Sequence, residues 1–228
     1  MFRIESLLSA RLFLAPQLAG QRIYFVSNLS GRMSLYAMDY GGSVPEPLLP
    51  PNLAMQNPDL VDGSSFHVFP SLGKILVMLD NDGDENYQPM WIPLEGGFPE
   101  PAFGGALAAY RTHLGLVTPD EKNAYMVSES REGETSLSFR ANLHTGELVK
   151  LVESQWSAVP AAASCDHRRV VIDESYTMGD STLSLWEEGQ RGLRLLHGVP
   201  LEQRQPGQVV PPSGINSIEF TPDERGLL

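Results

Sequence analysis

Short apolar runs recur along the chain, and each is followed by a polar turn and then by a second apolar run. The first unit has apolar runs at 22–27 and 34–39, joined by a turn at 28–31, and it ends in a glycine turn at 40–42. Strand-length runs separated by turns of this kind predict β-hairpins. Helical periodicity is scarce, so we expect an all-β fold.

Three further units follow the same order. Their first apolar runs are 74–80, 124–129 and 170–174, and their second runs are 88–94, 137–142 and 182–186. The equivalent positions Ile23, Ile75, Tyr125 and Val170 are separated by 52, 50 and 45 residues. Such spacing is typical of a β-propeller, whose four-stranded blades take about 40–50 residues each. The fold class predicted is therefore an incomplete β-propeller. Its predicted blades are 10–49, 66–103, 112–151 and 159–197, with 215–228 as the start of a fifth.

A short motif supports the fifth blade. Thr118–Lys122 recurs as Thr221–Arg225, 103 residues later, with the same Thr-Pro-Asp-Glu order followed by a base. Proline fixes φ and the Asp side chain can bond the backbone that follows it, so the motif predicts a tight turn before a strand. In this register Leu228 takes the place of Tyr125. We therefore expect the sequence to be part of a longer propeller.

Charge and composition narrow the partners. The chain has 28 acidic and 16 basic residues, for a net charge of −12, and this charge repels nucleic acid. No apolar run is long enough to span a bilayer, which argues against a membrane protein. The first twenty residues lack the pattern of a secretory signal. The single Cys165 suits a reducing compartment, so we predict a cytoplasmic protein.

The order of apolar strand, glycine-containing hairpin, apolar strand and glycine turn resembles the N-terminal propeller of the prolyl oligopeptidase (S9) family of serine peptidases. Members that act as acylaminoacyl-peptidases or dipeptidyl-aminopeptidases are the most similar. The segments that carry the resemblance are 22–28, 80–88 and 95–97, together with the two Thr-Pro-Asp motifs. TolB-like propellers, which bind partners and catalyse nothing, contain related repeats.

The resemblance implies a non-catalytic role. In the S9 family the propeller caps an α/β-hydrolase domain that follows it in the chain, and it restricts access to small peptides. No serine of this sequence lies in a Gly-x-Ser-x-Gly nucleophile elbow, so the hydrolase domain is absent from residues 1–228. We therefore expect a substrate-gating fragment of a serine peptidase, with a hydrolase domain downstream and a peptide as substrate. The alternative is a stand-alone TolB-like interaction module.

Two segments contain residues that could support chemistry. Gly179-Asp180-Ser181 is similar to the nucleophile segment of another hydrolase class, but it falls on a predicted hairpin and turn chemistry explains all three residues. The carboxylates of Asp80, Asp82, Asp84 and Glu85 could hold Ca²⁺. Their spacing is not that of an EF-hand loop, so an acidic solvated hairpin is favoured and cation binding stays open.

The remaining candidates favour structural roles. The five histidines are His67, His113, His144, His167 and His197, and their spacing does not suit a zinc site, so surface or loop positions are expected. Cys165 adjoins Asp166 and His167, but on a strand such neighbours point to opposite faces, which predicts a buried or idle thiol. Trp91, Phe139 and Trp186 recur at equivalent strand positions and are expected to pack between sheets. The bases Arg168, Arg169, Arg191 and Arg194 are too mixed with acids to form an anion patch.

We therefore predict no catalytic, cofactor or metal site in this chain. An enzyme with its site in the propeller itself is disfavoured, because carboxylates and histidines do not converge at equivalent blade positions. Two long loops, 50–65 and 198–214, are the best candidates for functional surface, since loops of this size on a rigid scaffold carry most contacts.

Overall fold

Four antiparallel sheets of four strands each make up the fold, in a computed structural model that describes residues 10–60, 63–80, 83–210, 212, 213, 215 and 217–228. Within each sheet the strands lie in chain order, so every connection joins neighbours. The predicted all-β class is confirmed. No helix of the described segments is long and apolar enough to cross a membrane.

The strand bounds follow the apolar runs of the sequence. The first sheet contains β1 (Phe13–Ala19), β2 (Arg22–Ser27), β3 (Ser34–Asp39) and β4 (Glu46–Pro47). The second contains β5 (Phe66–Phe69), β6 (Lys74–Leu79), β7 (Gln88–Pro93) and β8 (Glu100–Pro101). The third contains β9 (Tyr110–Val117), β10 (Asn123–Ser130), β11 (Ser136–Asn142) and β12 (Leu148–Ser154). The fourth contains β13 (Ser157–Ala163), β14 (Arg169–Thr177), β15 (Asp180–Glu187) and β16 (Arg194–His197). Short 3₁₀ turns lie at Pro58–Leu60, Pro70–Leu72, Ala102–Gly105 and Leu201–Gln203.

The chain divides into two compact units, one ending at Gly105 and the other beginning at Ala106. In the first unit one apolar core joins the first and second sheets. Tyr24 and Val26 reach it from β2, and Ile75 and Val77 reach it from β6. In both strands the core residues alternate, because successive side chains of a strand point to opposite faces. Phe66 from β5 completes the core, where its side chain is 1% exposed.

In the second unit two smaller cores lie on opposite faces of the fourth sheet. Tyr125, Val170 and Ile172 belong to the core between the third and fourth sheets. On the other face, Phe220 and Leu227 pack against the core of Val171, Leu183 and their neighbours. Phe220 and Leu227 also pair as an antiparallel bridge. The residues predicted to start a fifth blade therefore form a small hairpin against the fourth sheet.

Three turns, each of which connects two antiparallel segments, share one hydrogen-bonding pattern. They are Thr118–Lys122, Ser164–Arg168 and Thr221–Arg225. In each, the hydroxyl of the first residue donates to the carboxylate of the third, at 2.8, 2.6 and 2.6 Å. The same carboxylate accepts the backbone N–H of the fifth residue. The fourth residue is left-handed, with φ of 53°, 59° and 54°.

The middle turn of this set is not evident from the Thr-Pro-Asp motif. It reads Ser164-Cys165-Asp166-His167, in which only the Asp is shared with the other two copies. A hydroxyl residue two positions before an Asp is the signal that would have found it, because those two side chains make the turn. Cys165, Asp166 and His167 therefore lie in a turn, and our expectation that they lie on a strand is wrong.

Candidate functional site: cavities at the ends of the sheets

Each sheet has two distinct ends. The hairpin between its second and third strands defines what we call the hairpin end, and the turn between its first and second strands defines the turn end. In a meander of four strands, the link to the next sheet leaves from the hairpin end. Both long loops singled out in the sequence are such links.

The hairpin end of the fourth sheet holds a cleft of about 490 Å³. Asp173 and Tyr176 of β14 line it, together with Met178 at the tip of the hairpin and Ser213 from the loop 198–214. Burial raises the pKa of Asp173 above the ordinary carboxyl value. Met178 is fully exposed. The cleft therefore combines a half-buried acid with an exposed apolar side chain.

Arg204 fixes the loop that borders this cleft. Its guanidinium makes two bonds to the carboxylate of Asp180, at 2.6 and 2.8 Å, and it lies 5.0 Å from the ring centre of Tyr176. It also donates to the carbonyl of Val199. The hydrogen bond from Arg204 holds the pKa of Asp180 below its usual range. The loop is thus attached to the hairpin by a bidentate ion pair.

Gly179-Asp180-Ser181 forms part of this hairpin. Gly179 has a φ of 106°, a conformation that favours glycine, and Asp180 is held by Arg204. Ser181 is 5% exposed, and its hydroxyl donates to the carbonyl of Ser213 at 3.1 Å. The Ser213 hydroxyl in turn accepts from the Ser181 N–H at 2.7 Å. The Ser181 hydroxyl thus joins the loop to the hairpin.

Similar cavities occur at other hairpin ends. In the third sheet, Glu129, Ser136 and Trp156 line a cavity of about 280 Å³. The hydrogen bond from His113 holds the pKa of Glu129 below its usual range. In the first unit, Asn52–Gln56 of the long loop 50–65 lines a cavity of about 290 Å³. Both long loops therefore border cavities.

A hydrogen-bonded chain lies at the turn ends of the third and fourth sheets. His167 contacts the Tyr125 hydroxyl through Nδ1 at 3.0 Å and the Asp120 carboxylate through Nε2 at 3.1 Å. Although burial opposes it, the bonds from His167 and Thr118 hold the pKa of Asp120 well below its usual range. An ionised Asp120 can only accept, so Nε2 carries a proton. Burial raises the pKa of Tyr125, which leaves its hydroxyl able to donate to Nδ1.

Two of our expectations for single residues are corrected here. His113 is 9% exposed and lies within β9, so it is neither a surface nor a loop residue as expected, whereas His167 lies in a turn but is 7% exposed. Cys165, predicted to be buried or idle, is exposed, so the first of these alternatives is wrong. Its thiol bonds the Glu224 carboxylate, which raises the pKa of the thiol. A raised pKa disfavours the reactive thiolate, and so the thiol is not activated.

In the acidic turn after β6, two carboxylates accept backbone N–H groups. Asp80 accepts the N–H of Glu85, and Asp84 accepts the N–H of Asn86 at 2.9 Å. Asp82 lies outside the described residues. Across the segments that the structure describes, no group of three or more His, Cys, Asp or Glu side chains could hold a metal ion. Cation binding at this turn stays an open prediction.

Two of the recurring aromatic residues, Trp91 and Trp186, and three of the bases have partners inside the fold. The Arg140 guanidinium of the third sheet lies 5.5 Å from the ring centre of Trp186 in the fourth. Trp91 packs edge-on against Phe69, with ring centres 5.7 Å apart. Ion pairs join Arg168 to Glu188, Arg169 to Glu224 and Arg194 to Glu187. These contacts hold parts of the fold together.

Comparison with known proteins gives matches in structure alone. No family model and no curated protein matches the chain. A TolB from Agrobacterium tumefaciens is similar with a TM-score of 0.55 at 16% identity, over 82% of this chain and 62% of that one. The fold is that of a TolB-like propeller. The prediction of an incomplete propeller is thereby confirmed.

Peptidase structures share this propeller fold. A chain from a study of two prolyl endopeptidases matches with a TM-score of 0.58 at 11% identity, over 95% of this chain and 32% of that one. An acylaminoacyl peptidase from Pyrococcus horikoshii matches with a TM-score of 0.53 at 12% identity, over 84% of this chain and 33% of that one. The 228-residue chain thus spans 62% of the TolB chain and about a third of each peptidase chain. At these identities the likeness concerns the fold.

Proposed function

We propose that the chain is the non-catalytic, substrate-gating propeller of an S9-type serine peptidase that acts on small peptides. The observation that carries the proposal is coverage. Nearly the whole chain, 95% of it, matches about a third of a prolyl endopeptidase chain, at a TM-score of 0.58. In that study inter-domain dynamics have a role in catalysis and specificity. A hydrolase domain later in this chain would supply the catalytic serine.

The hairpin ends of the second unit supply a surface suited to peptides. Glu129 and Asp173 each place a carboxylate in one of two cavities. At the same ends of the sheets, the ring centres of Trp156 and Tyr176 lie 5.4 Å apart. Carboxylates attract the ammonium group of a peptide, and aromatic rings contact its apolar side chains. These cavities are where we place the contact with substrate.

The test begins with the reading frame downstream of codon 228. We expect it to encode a Gly-x-Ser-x-Gly segment, and the longer protein should hydrolyse short peptides but lose kcat/KM steeply as the peptide lengthens. Tyr176→Ala should alter this dependence on length, whereas Tyr40→Phe, at an exposed turn of the first unit, should not. A reading frame that stops after Leu228 would remove the proposal, as would hydrolysis that does not depend on peptide length.

A second candidate function is a stand-alone TolB-like interaction module. The match to TolB favours this function. Our chain covers 62% of the TolB chain, which is about twice the share that it covers of each peptidase chain. Residues 1–228 should then capture a stable protein partner that contains no peptidase domain.

Fractionation of cells would test the cytoplasmic location, and a filter-binding assay would test the prediction that nucleic acid is not a partner.

A further inference from the structure

A polar cavity of about 210 Å³ lies at the turn ends of the third and fourth sheets. One wall is the face shared by β10 and β11, and the other consists of turns of the fourth sheet. The residues that line it are Asn123, Arg140, Asn142, Glu147, Val149, Asp166, His167 and Glu188. The cavity is separate from the hairpin-end cavities, and it stands independently of the proposed function.

Two opposed amides form the sheet-side wall. Asn123 and Asn142 are paired across β10 and β11. Asn123 is 7% exposed, and among the residues that the structure describes no group hydrogen-bonds its side chain. Within the described segments, the Asn142 side chain bonds through its oxygen alone, which accepts the N–H groups of His144 and Thr145. The polar atoms of Asn123 are reached from the cavity, where a bound molecule can exchange hydrogen bonds with them.

The cationic group in the cavity is already engaged. Arg140 donates to the carbonyl of His167 and pairs with Glu188 at 2.9 Å. His167 is likewise held by Asp120 and Tyr125. An anionic ligand would have to displace these internal bonds, so the cavity is poorly suited to phosphate or carboxylate.

The rim is acidic. Glu147, Asp166 and Glu188 are all exposed at the mouth, against the single guanidinium of Arg140 among the lining side chains. The bond from Ser164 holds the pKa of Asp166 below its usual range, and the bond from Arg140 does the same for Glu188. Both carboxyls are therefore charged at neutral pH. Because Glu188 is already paired with Arg140 and Arg168, Glu147 and Asp166 are the carboxylates that attract a cation.

We propose that this cavity binds a small molecule that carries both an ammonium group and an amide, such as an amino-acid amide or the first residue of a peptide. The ammonium lies at the rim carboxylates. The ligand amide exchanges hydrogen bonds with Asn123 and Asn142, which offer a free oxygen and free N–H groups. A ligand with only the ammonium group would contact the rim alone, and a ligand with only the amide would contact the two asparagines alone.

Calorimetric titration of the 228-residue chain with three probes tests the proposal. Alaninamide has both groups, N-acetylalaninamide lacks the charge, and ethylammonium lacks the amide. Alaninamide should bind about tenfold more tightly than either of the others, because each loses one charged or amide interaction. Its affinity should fall as salt is added, since the rim is exposed.

Two variants locate the binding. Glu147→Gln, at the exposed rim, should weaken alaninamide binding several-fold with no change in the thermal midpoint, and Asn123→Ala should weaken it further. Glu100→Gln is the matched control, because it neutralises an exposed carboxylate that does not line this cavity. Equal affinities for the three probes, equal effects of the two Gln variants, or no saturable binding would each overturn the proposal.

Discussion

Neighbouring sheets are joined differently in the two units of the molecule. In the first unit a single apolar core contains residues of both sheets, including the large ring of Phe66 from the first strand of the second sheet. In the second unit the core between the sheets is smaller, and its first-strand residue is Ala158. The chain of Asp120, His167 and Tyr125 adds a polar connection at the turn ends.

The difference shows that one repeat can be held together by two kinds of interaction. Apolar packing is non-directional, so the first unit needs only side chains of suitable volume. Hydrogen bonds to charged groups need particular atoms at particular positions, which the three similar turns supply. Stability should therefore depend on packing in the first unit and also on pH in the second.

The largest expected effect is the loss of Phe66. Phe66→Ala should lower the free energy of unfolding by about 3–5 kcal/mol, because it leaves a cavity in a fully buried core. Phe98→Ala is the control, since that ring is 82% exposed and its loss should change stability by less than about 0.5 kcal/mol. Urea denaturation followed by hydrogen exchange would locate the loss. A comparable loss in both variants would contradict the assigned core.

Gly96→Ala should have the next largest effect. A Cβ at Gly96 would lie 2.6 Å from the carbonyl oxygen of Leu48, which directly follows β4 of the first sheet in the same unit. Gly42 occupies the equivalent turn position in the first sheet. Its φ is 95°, compared with 82° for Gly96, but a Cβ added at Gly42 would have no atom within 4 Å. Gly42→Ala should cost about 1–2 kcal/mol through φ alone. Gly96→Ala should cost about 1–3 kcal/mol more through the clash, measured by denaturation. Equal losses would show that the sheets can separate freely there.

These features were predictable from the sequence to different degrees. The alternation of apolar runs and turns was sufficient for the all-β class and for the propeller, because blades repeat at a spacing that other β folds lack. The hairpin nature of Gly179-Asp180-Ser181 followed from turn chemistry. The repeat also indicated that the long loops are links between sheets, and the structure shows that they border cavities.

The contacts between sheets were not predictable in this way. His167 lies 42 positions from Tyr125 and 47 from Asp120, and no local pattern brings them together. The turn that contains His167 differs from the other two copies at three of its first four positions, with Ser for Thr, Cys for Pro and His for Glu. The sequence motif therefore revealed neither the turn nor the burial of the histidine. Nothing in the sequence around Asn123 distinguishes it from other residues at strand ends, because its pairing with Asn142 depends on the register of β10 and β11. Such sites depend on register and on the packing of one sheet on the next.

Asp120→Asn tests the polar connection of the second unit. The variant keeps the oxygen that accepts in the turn but loses the charge that faces His167, and it should cost about 1–2 kcal/mol at neutral pH. The folded-state pKa of Asp120 is lowered, so its contribution is present above the ordinary carboxyl pKa of about 4 and is lost as the pH falls below that value. The difference between variant and wild type should therefore shrink in acid.

The matched control for this pH dependence is Asp223→Asn, which changes the same position of the third turn, where no histidine contacts the carboxylate among the described residues. It should cost less at neutral pH. Urea denaturation of both variants from neutral pH to about pH 2.5 gives the comparison. A difference for Asp120→Asn that stays constant over this range would show that its charge does not connect the sheets.

The smallest expected effect comes from an ion pair on the surface of the first unit. Glu95 contacts Arg22 at 2.6 Å, but its side chain is 79% exposed, so Glu95→Gln should change stability by less than about 0.5 kcal/mol, and the effect should disappear in high salt. Glu224→Gln in the second unit should cost more and respond less to salt, because that side chain is 23% exposed and contacts both Arg169 and the N–H of Cys165. Its loss should also lower the pKa of the Cys165 thiol, so alkylation of the thiol at pH 8 should be faster than in the wild type, whereas Glu95→Gln should leave that rate unchanged. Equal salt dependence of the two variants, together with an unchanged alkylation rate, would show that the ion pairs of the second unit are as weakly held as those of the first.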